Sequence, residues 1–159
     1  MKQRVYLETT IVSYLVARPS RDLIVAAHQE VTRQWWESRR LQFDVYVSQL
    51  VVDEAQGGDI EAARKRLEAI RDIVNLAVTE EAIELAESLT EEHALPAEAG
   101  ADALHIAVAT VNGLDFLMTW NCRHIANMEL LPAIHRTVEG HGYELPWICT
   151  PEELSGGER

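Results

Sequence analysis

The chain has 159 residues, of which 47% are hydrophobic and 25% are charged, a balance that fits one globular domain and excludes a disordered chain. It has 14 Lys and Arg against 26 Asp and Glu, a formal net charge of -12, which argues against a broad basic surface that neutralises nucleic-acid phosphates. The 2 cysteines are too few for a disulfide framework. No signal peptide or stretch long enough to cross a bilayer is visible, so we expect a cytoplasmic protein without membrane contacts.

The first half of the chain alternates short apolar runs with segments of helical periodicity. The pattern predicts a strand at 5–7, a helix from Thr9 or Thr10 to Arg18, a helix at 22–40, a strand at 43–47 and a helix from Ser48 to Gly57. Ser20 or Asp22 can cap the second of these helices, and Ser48 can cap the third. Each strand therefore leads into a helix.

The second half continues the alternation. It predicts a helix at 60–72 capped by Asp59, a strand at 73–78, a helix at 79–93 opened by Thr79, a buried helix at 101–112, a strand at 115–119, a helix at 129–140, a strand at 146–149 and a brief helix from Thr150. Strands that alternate with helices predict an α/β fold with a central parallel sheet flanked by helices on both faces. We expect one domain over 1–154 and a flexible tail over 155–159.

Three acidic residues stand in sequence that does not need their charge. Glu8 follows an apolar strand, Glu54 lies in a mostly apolar helical turn, and Asp102 is the one acid of a very apolar helix. Ligands of parallel sheets bind beyond the carboxyl ends of the strands, where Glu8 is expected. If the three acids converge there, a divalent cation would remove their mutual repulsion, and all-oxygen ligands favour Mg²⁺ or Mn²⁺.

Each acid also has an interpretation without chemistry. Asp102 can be a first-turn acid that the helix dipole favours, Glu8 a strand-end charge that meets solvent, and Glu54 a solvated neighbour of Asp53. Sequence spacing does not decide between these interpretations.

Four segments, in order, resemble the motifs of PIN domains, and most of all those of the VapC-type toxins of bacterial toxin-antitoxin pairs. They read VYLETTIV at 5–12, SQLVVDE at 48–54, ADALHIA at 101–107 and LMTWN at 117–121. The agreement in the order of elements extends over nearly the whole chain. Each motif is only a few residues long, so the match depends on their order and on the elements that carry them.

The resemblance implies a PIN-like three-layer sandwich and a metal-dependent endoribonuclease that hydrolyses RNA with Mg²⁺ or Mn²⁺. It also implies homodimerisation and inhibition by a small antitoxin protein. Glu54 and Asp102 occupy two of the usual acidic positions, Glu8 stands where most members have Asp, and Asn121 stands where a fourth Asp is common. Glu8, Glu54 and Asp102 would then be the metal ligands, and Asn121 would complete the catalytic set.

Other residues near these motifs are candidates for positioning. Thr9 or Thr119 can orient the attacking water or a phosphate oxygen, and Arg123 can contact a phosphate. His105 lies three residues after Asp102 and can flank the metal site, but a partly buried histidine with satisfied hydrogen bonds is the favoured interpretation. Trp120 is either a contact of the site or packing beneath it.

The two departures from the PIN pattern leave the activity open. Glu8 keeps the charge on a side chain that is one methylene longer, whereas Asn121 removes a charge and weakens any second metal. A catalytically weak PIN scaffold that binds RNA or a protein partner is therefore the alternative. A metal-dependent phosphatase acting on small substrates is a third interpretation.

Overall fold

A computed structural model describes residues 1–157, and within them five strands form a single sheet. The strands are β1 (Arg4–Leu7), β2 (Asp44–Ser48), β3 (Val74–Leu76), β4 (Phe116–Met118) and β5 (Trp147–Cys149). Their spatial order is β3-β2-β1-β4-β5, and every neighbouring pair is parallel. The chain therefore places β2 and β3 on one side of β1 and then crosses to place β4 and β5 on its other side. This reversal of direction leaves a crevice beside β1.

Helices cover both faces of the sheet. They are α1 (Thr9–Val16), α2 (Leu23–Ser38), α3 (Gln49–Ala55), α4 (Ile60–Ile70), α5 (Glu80–Glu91), α6 (Gly100–Val111) and α7 (Leu131–Gly140). Helix α1 packs against α2, α3 and α4, whereas α5 packs against α6 and α7. Because parallel connections are right-handed and the chain reverses direction after β3, these two groups lie on opposite faces. The predicted three-layer α/β sandwich is confirmed.

The centre of the sheet is buried from both sides. Val5, Tyr6 and Leu7 of β1 are each 0% exposed. On α6, Ile106, Ala107, Val108 and Ala109 are also fully buried. A central parallel strand has helices on both faces, so its residues are apolar in succession rather than in alternation.

Four helices begin with the caps that the sequence indicates. In each of these helices, a backbone N–H group of the first turn donates to the side chain of the capping residue. The caps are Asp22 for α2, Ser48 for α3, Asp59 for α4 and Thr79 for α5. Each cap satisfies a donor that the helix itself leaves without a partner. Asp22, rather than Ser20, is therefore the N-cap of α2.

Two local predictions are wrong. Glu8 holds the N-cap position of α1, and Thr9 and Thr10 lie inside the first turn, where their hydroxyls bond carboxylates instead of capping the helix. The segment after Thr150 forms turns, not a helix. Its capping contact does form, because the Glu153 carboxylate accepts from the Thr150 backbone N–H at 2.9 Å, but no helical turns follow it.

The domain limits at 1–154 and the flexible tail at 155–159 stay predictions, and Glu158 and Arg159 lie outside the described residues. Within 1–157, none of the helices combines the length and apolar character that a membrane span requires.

Candidate active site

The candidate residues lie where the carboxyl ends of the central strands meet. Glu8 directly follows β1, and its backbone N–H donates to the Met118 carbonyl of β4 at 3.1 Å. Thr119 follows β4, and Ser48 ends β2 and begins α3. Parallel strands bring these positions to one edge of the sheet, which we call the acid edge and define by Glu8, Glu54, Asp102 and Asn121 with their hydrogen-bond partners.

Glu8 is a buried carboxylate held by two hydroxyls. Its side chain is 4% exposed, and its Oε1 accepts from Thr10 Oγ1 at 2.5 Å and from Thr119 Oγ1 at 2.6 Å. Both hydroxyl oxygens in turn accept backbone N–H groups, that of Trp120 at 2.9 Å and that of Asn121 at 2.8 Å. The polar bonds compensate for the cost of burying the carboxylate and fix its orientation.

Glu54 reaches the same edge from α3. Its Oε1 accepts from Thr9 Oγ1 at 2.5 Å and from His105 Nε2 at 2.6 Å. Burial raises the pKa of Glu54, but the hydrogen bonds from His105 and Thr9 outweigh that effect and hold the pKa below its usual range. The Glu54 side chain is 34% exposed, so it remains accessible to solvent.

A buried line of hydrogen bonds supports Glu54 from behind. His105 Nδ1 lies 2.7 Å from the Tyr6 hydroxyl, which lies 2.8 Å from Ser48 Oγ. The Glu54 carboxylate only accepts, so His105 Nε2–H donates to it, and when the imidazole is neutral its Nδ1 accepts from the Tyr6 hydroxyl. The Tyr6 oxygen is left to accept from Ser48. We call Ser48, Tyr6, His105 and Glu54 the buried relay.

Burial is almost complete for the three residues of this relay that lie behind Glu54. Ser48 and Tyr6 are 0% exposed and His105 is 1% exposed. Burial raises the pKa of Tyr6 well above its usual range, so the phenol keeps the proton that it donates to His105. The prediction of a hydrogen-bonded His105 is confirmed, and its burial is more complete than the partial burial expected.

Asp102 is held by a separate pair of partners. Its Oδ1 accepts from Asn121 Nδ2 at 2.9 Å and its Oδ2 accepts from His124 Nδ1 at 2.8 Å. The Asn121 side-chain oxygen accepts from the His124 backbone N–H at 3.1 Å, which closes the group. The side chain of Asp102 is 22% exposed. Asn121 therefore acts in the structure as a donor to Asp102, a role that an ionised Asp at this position could not have.

The carboxylates share one edge but do not share one centre. Among residues 1–157, no three His, Cys, Asp or Glu side chains are grouped closely enough to hold a metal ion. The donor chemistry of Glu8, Glu54 and Asp102, all oxygen, is that of a hard divalent cation. The hydrogen bonds to Glu8 and Glu54 go to the Oε1 atom of each, whereas Asp102 accepts through both of its oxygens. Arg123 is exposed in the loop that follows Asn121.

Comparisons with known proteins agree with the architecture. No protein-family model matches the chain, and no curated protein matches it in sequence. Among solved structures it is similar to that of Mycobacterium tuberculosis VapC20, a Sarcin-Ricin loop cleaving toxin, with a TM-score of 0.59 and 18% sequence identity. The match covers 77% of this chain and 93% of that one. The chain has a PIN-like fold. At this identity the similarity concerns the fold alone.

The site of this PIN-like fold contains residues that the sequence analysis did not assign to it. Tyr6 was expected only as part of a strand, and His124 was given no role. A signal existed for His105, which lies three residues after Asp102 and so faces the same side of α6. For Tyr6 the signal is weaker: a phenol in a buried strand requires a hydrogen-bond partner, but the sequence does not name it.

Proposed function

We propose that this chain is a metal-dependent endoribonuclease that hydrolyses RNA phosphodiesters and serves as the toxin of a type II toxin-antitoxin pair. The observation that carries the proposal is the acid edge, which gathers three carboxylates and Asn121 at the carboxyl ends of β1, β2 and β4. The similar structure is that of a toxin that cleaves the Sarcin-Ricin loop, which supports RNA as the class of substrate.

Glu8, Glu54 and Asp102 would hold the cation, Mg²⁺ or Mn²⁺. When bound, such a cation polarises a phosphoryl oxygen and lowers the pKa of a bound water toward neutrality. The same cation offsets two of the three negative charges of these carboxylates, and this reduces their repulsion of the phosphate that must approach them.

The remaining residues of the edge orient the groups that react. Thr119 and Thr10 hold Glu8, and Thr9 holds Glu54, so a threonine hydroxyl lies beside each of these carboxylates and can position the water or a phosphate oxygen. Asn121 fixes Asp102 through its amide. The exposed guanidinium of Arg123 can bind an RNA phosphate on the solvent side.

The proposed partners follow from the toxin assignment. They are an RNA substrate, a small antitoxin protein that covers the acid edge, and a second copy of this chain in a homodimer. The toxin would act in the cytoplasm.

The proposal is tested by cleavage of end-labelled RNA, as a stem-loop and as an unpaired strand, in Mg²⁺, in Mn²⁺ and in chelator. We expect metal-dependent cutting that falls more than tenfold in Asp102→Asn, since the amide removes a charge and a ligand oxygen. Asp53→Asn is the matched control, because Asp53 is exposed and bonds only Gln49 on its own helix. Equal cleavage by Asp102→Asn and wild type would contradict the assignment.

A catalytically weak scaffold is the second candidate, favoured by the hydrogen bonds that already engage all three carboxylates. Glu8→Asp combined with Asn121→Asp separates the two candidates. A weakened enzyme should cut faster with the restored pattern. A scaffold should bind RNA without cutting it in either form.

A further inference from the structure

Three aromatic rings stack beside the acid edge. The ring of Trp120 lies 4.0 Å from that of His28, with 8° between their planes, and 6.3 Å from that of Tyr14, with 19° between the planes. Trp120 directly follows Thr119, and its backbone N–H donates to Thr10 Oγ1, the same hydroxyl that donates to Glu8. We call Tyr14, His28 and Trp120 the aromatic stack.

The aromatic stack is fixed but not enclosed. The Trp120 indole N–H donates to Thr32 Oγ1 at 2.7 Å, and the Thr32 hydroxyl donates to the His28 carbonyl at 2.6 Å. These bonds hold two of the rings against each other. All three rings are half-buried, whereas Trp35 in the core of the same face is 2% exposed. Each of the three rings therefore keeps part of its surface accessible to solvent at the rim of the acid edge.

The charge of the chain limits how it can attract RNA. The formal net charge is -12, and the acid edge adds a local concentration of carboxylates. Sequence-independent attraction between basic side chains and phosphates is weak on such a surface. Stacking of a base on an aromatic ring does not depend on charge and is available to every base.

We propose that the aromatic stack is a binding platform for a nucleobase of unpaired RNA, adjacent to the acid edge. The inference rests on the proposed ribonuclease function and deepens it by naming the residues that would contact a base of the substrate. Bases in a continuous duplex have both faces covered by their neighbours and cannot add to the stack. Affinity should depend on salt only shallowly, because few phosphate contacts contribute to it.

The test measures binding apart from cleavage. Fluorescein-labelled hexaribonucleotides of adenine and of uracil are titrated by anisotropy in Mg²⁺ and in chelator, and the titrations in chelator, where the proposed nuclease cannot cut, control for cleavage during the measurement. Base stacking leads us to expect about tenfold weaker binding by His28→Ala or Tyr14→Ala than by wild type. His28→Phe restores a flat ring and should restore the affinity. His141→Ala is the control, since His141 is a half-exposed histidine that bonds Glu92 far from the stack.

The outcomes separate this inference from the proposed function. The platform is overturned if both alanine variants bind RNA as tightly as wild type does. It is also overturned if wild type binds a duplex more tightly than a single strand. The same conclusion follows if wild type binds neither hexaribonucleotide in Mg²⁺ or in chelator. Weaker binding by either alanine variant, with rescue by His28→Phe, supports the platform even if no RNA is cut. If wild type cleaves RNA and both alanine variants have the same KM as wild type, the proposed nuclease function would stand and the proposed base-binding platform would be abandoned.

Discussion

Replacing Tyr6 by Phe removes one oxygen from the buried relay and leaves the ring in place. The ring volume is unchanged, so the variant creates almost no cavity. The lost hydroxyl has two partners, Ser48 Oγ at 2.8 Å and His105 Nδ1 at 2.7 Å. The effect on stability therefore reports these hydrogen bonds rather than packing.

The size of the effect follows from what each partner retains. Ser48 Oγ still accepts from the Val51 backbone N–H at 3.4 Å, so its loss is that of one ordinary hydrogen bond, about 1 kcal/mol. His105 Nδ1 is left buried without a partner, since the side chain is 1% exposed, and this costs about 1 to 2 kcal/mol more. We expect the free energy of unfolding to fall by about 2 to 3 kcal/mol. For a domain of this size the corresponding decrease in Tm is about 4 to 12 °C.

Urea denaturation followed by circular dichroism measures the change, with calorimetry for Tm. Tyr143→Phe is the matched control, because it removes the hydroxyl of a half-buried tyrosine outside the relay, and we expect it to change stability by less than about 0.5 kcal/mol. If Tyr6→Phe were as stable as that control, the relay would not hold His105, and its support of Glu54 would have to be abandoned.

Three further predictions concern the site and the thiols. Thr119→Val keeps the shape of a fully buried side chain but removes a donor to Glu8 and an acceptor for the Asn121 backbone N–H. We expect the free energy of unfolding, measured by urea denaturation, to fall by about 1 to 3 kcal/mol. An unchanged free energy would mean that Glu8 does not need this donor. Burial raises the pKa of the Cys149 thiol to about 12, so about one thiol in ten thousand is ionised at pH 8. A thiol reagent should therefore label only the exposed Cys122 until the protein is denatured or the pH approaches 12. Mn²⁺ should raise Tm in wild type and less so in Asp102→Asn; equal shifts would exclude Asp102 as a ligand.

The elements of the fold could be predicted from the sequence because their causes are local. Apolar periodicity separates strands from helices over a few residues, and a capping side chain such as Asp22 or Asp59 bonds an N–H only two or three positions away. The same local reasoning identified Glu8 at the end of an apolar strand. It failed at Thr9 and Thr10, whose hydroxyls bond carboxylates of the acid edge rather than the helix terminus.

Thr10 lies only two positions from Glu8, but the other partners of the acidic residues were decided by the tertiary structure. Tyr6 and His105 are 99 positions apart, and Glu54 and His105 are 51 apart, so their bonds depend on how α3 and α6 pack against the sheet. No periodicity or spacing encodes that packing, because it results from the burial of the whole core at once. The sequence thus determined which acids are available and on which elements they lie. The tertiary structure decided that each carboxylate has its own donors, because every polar atom buried with it needs a hydrogen-bond partner.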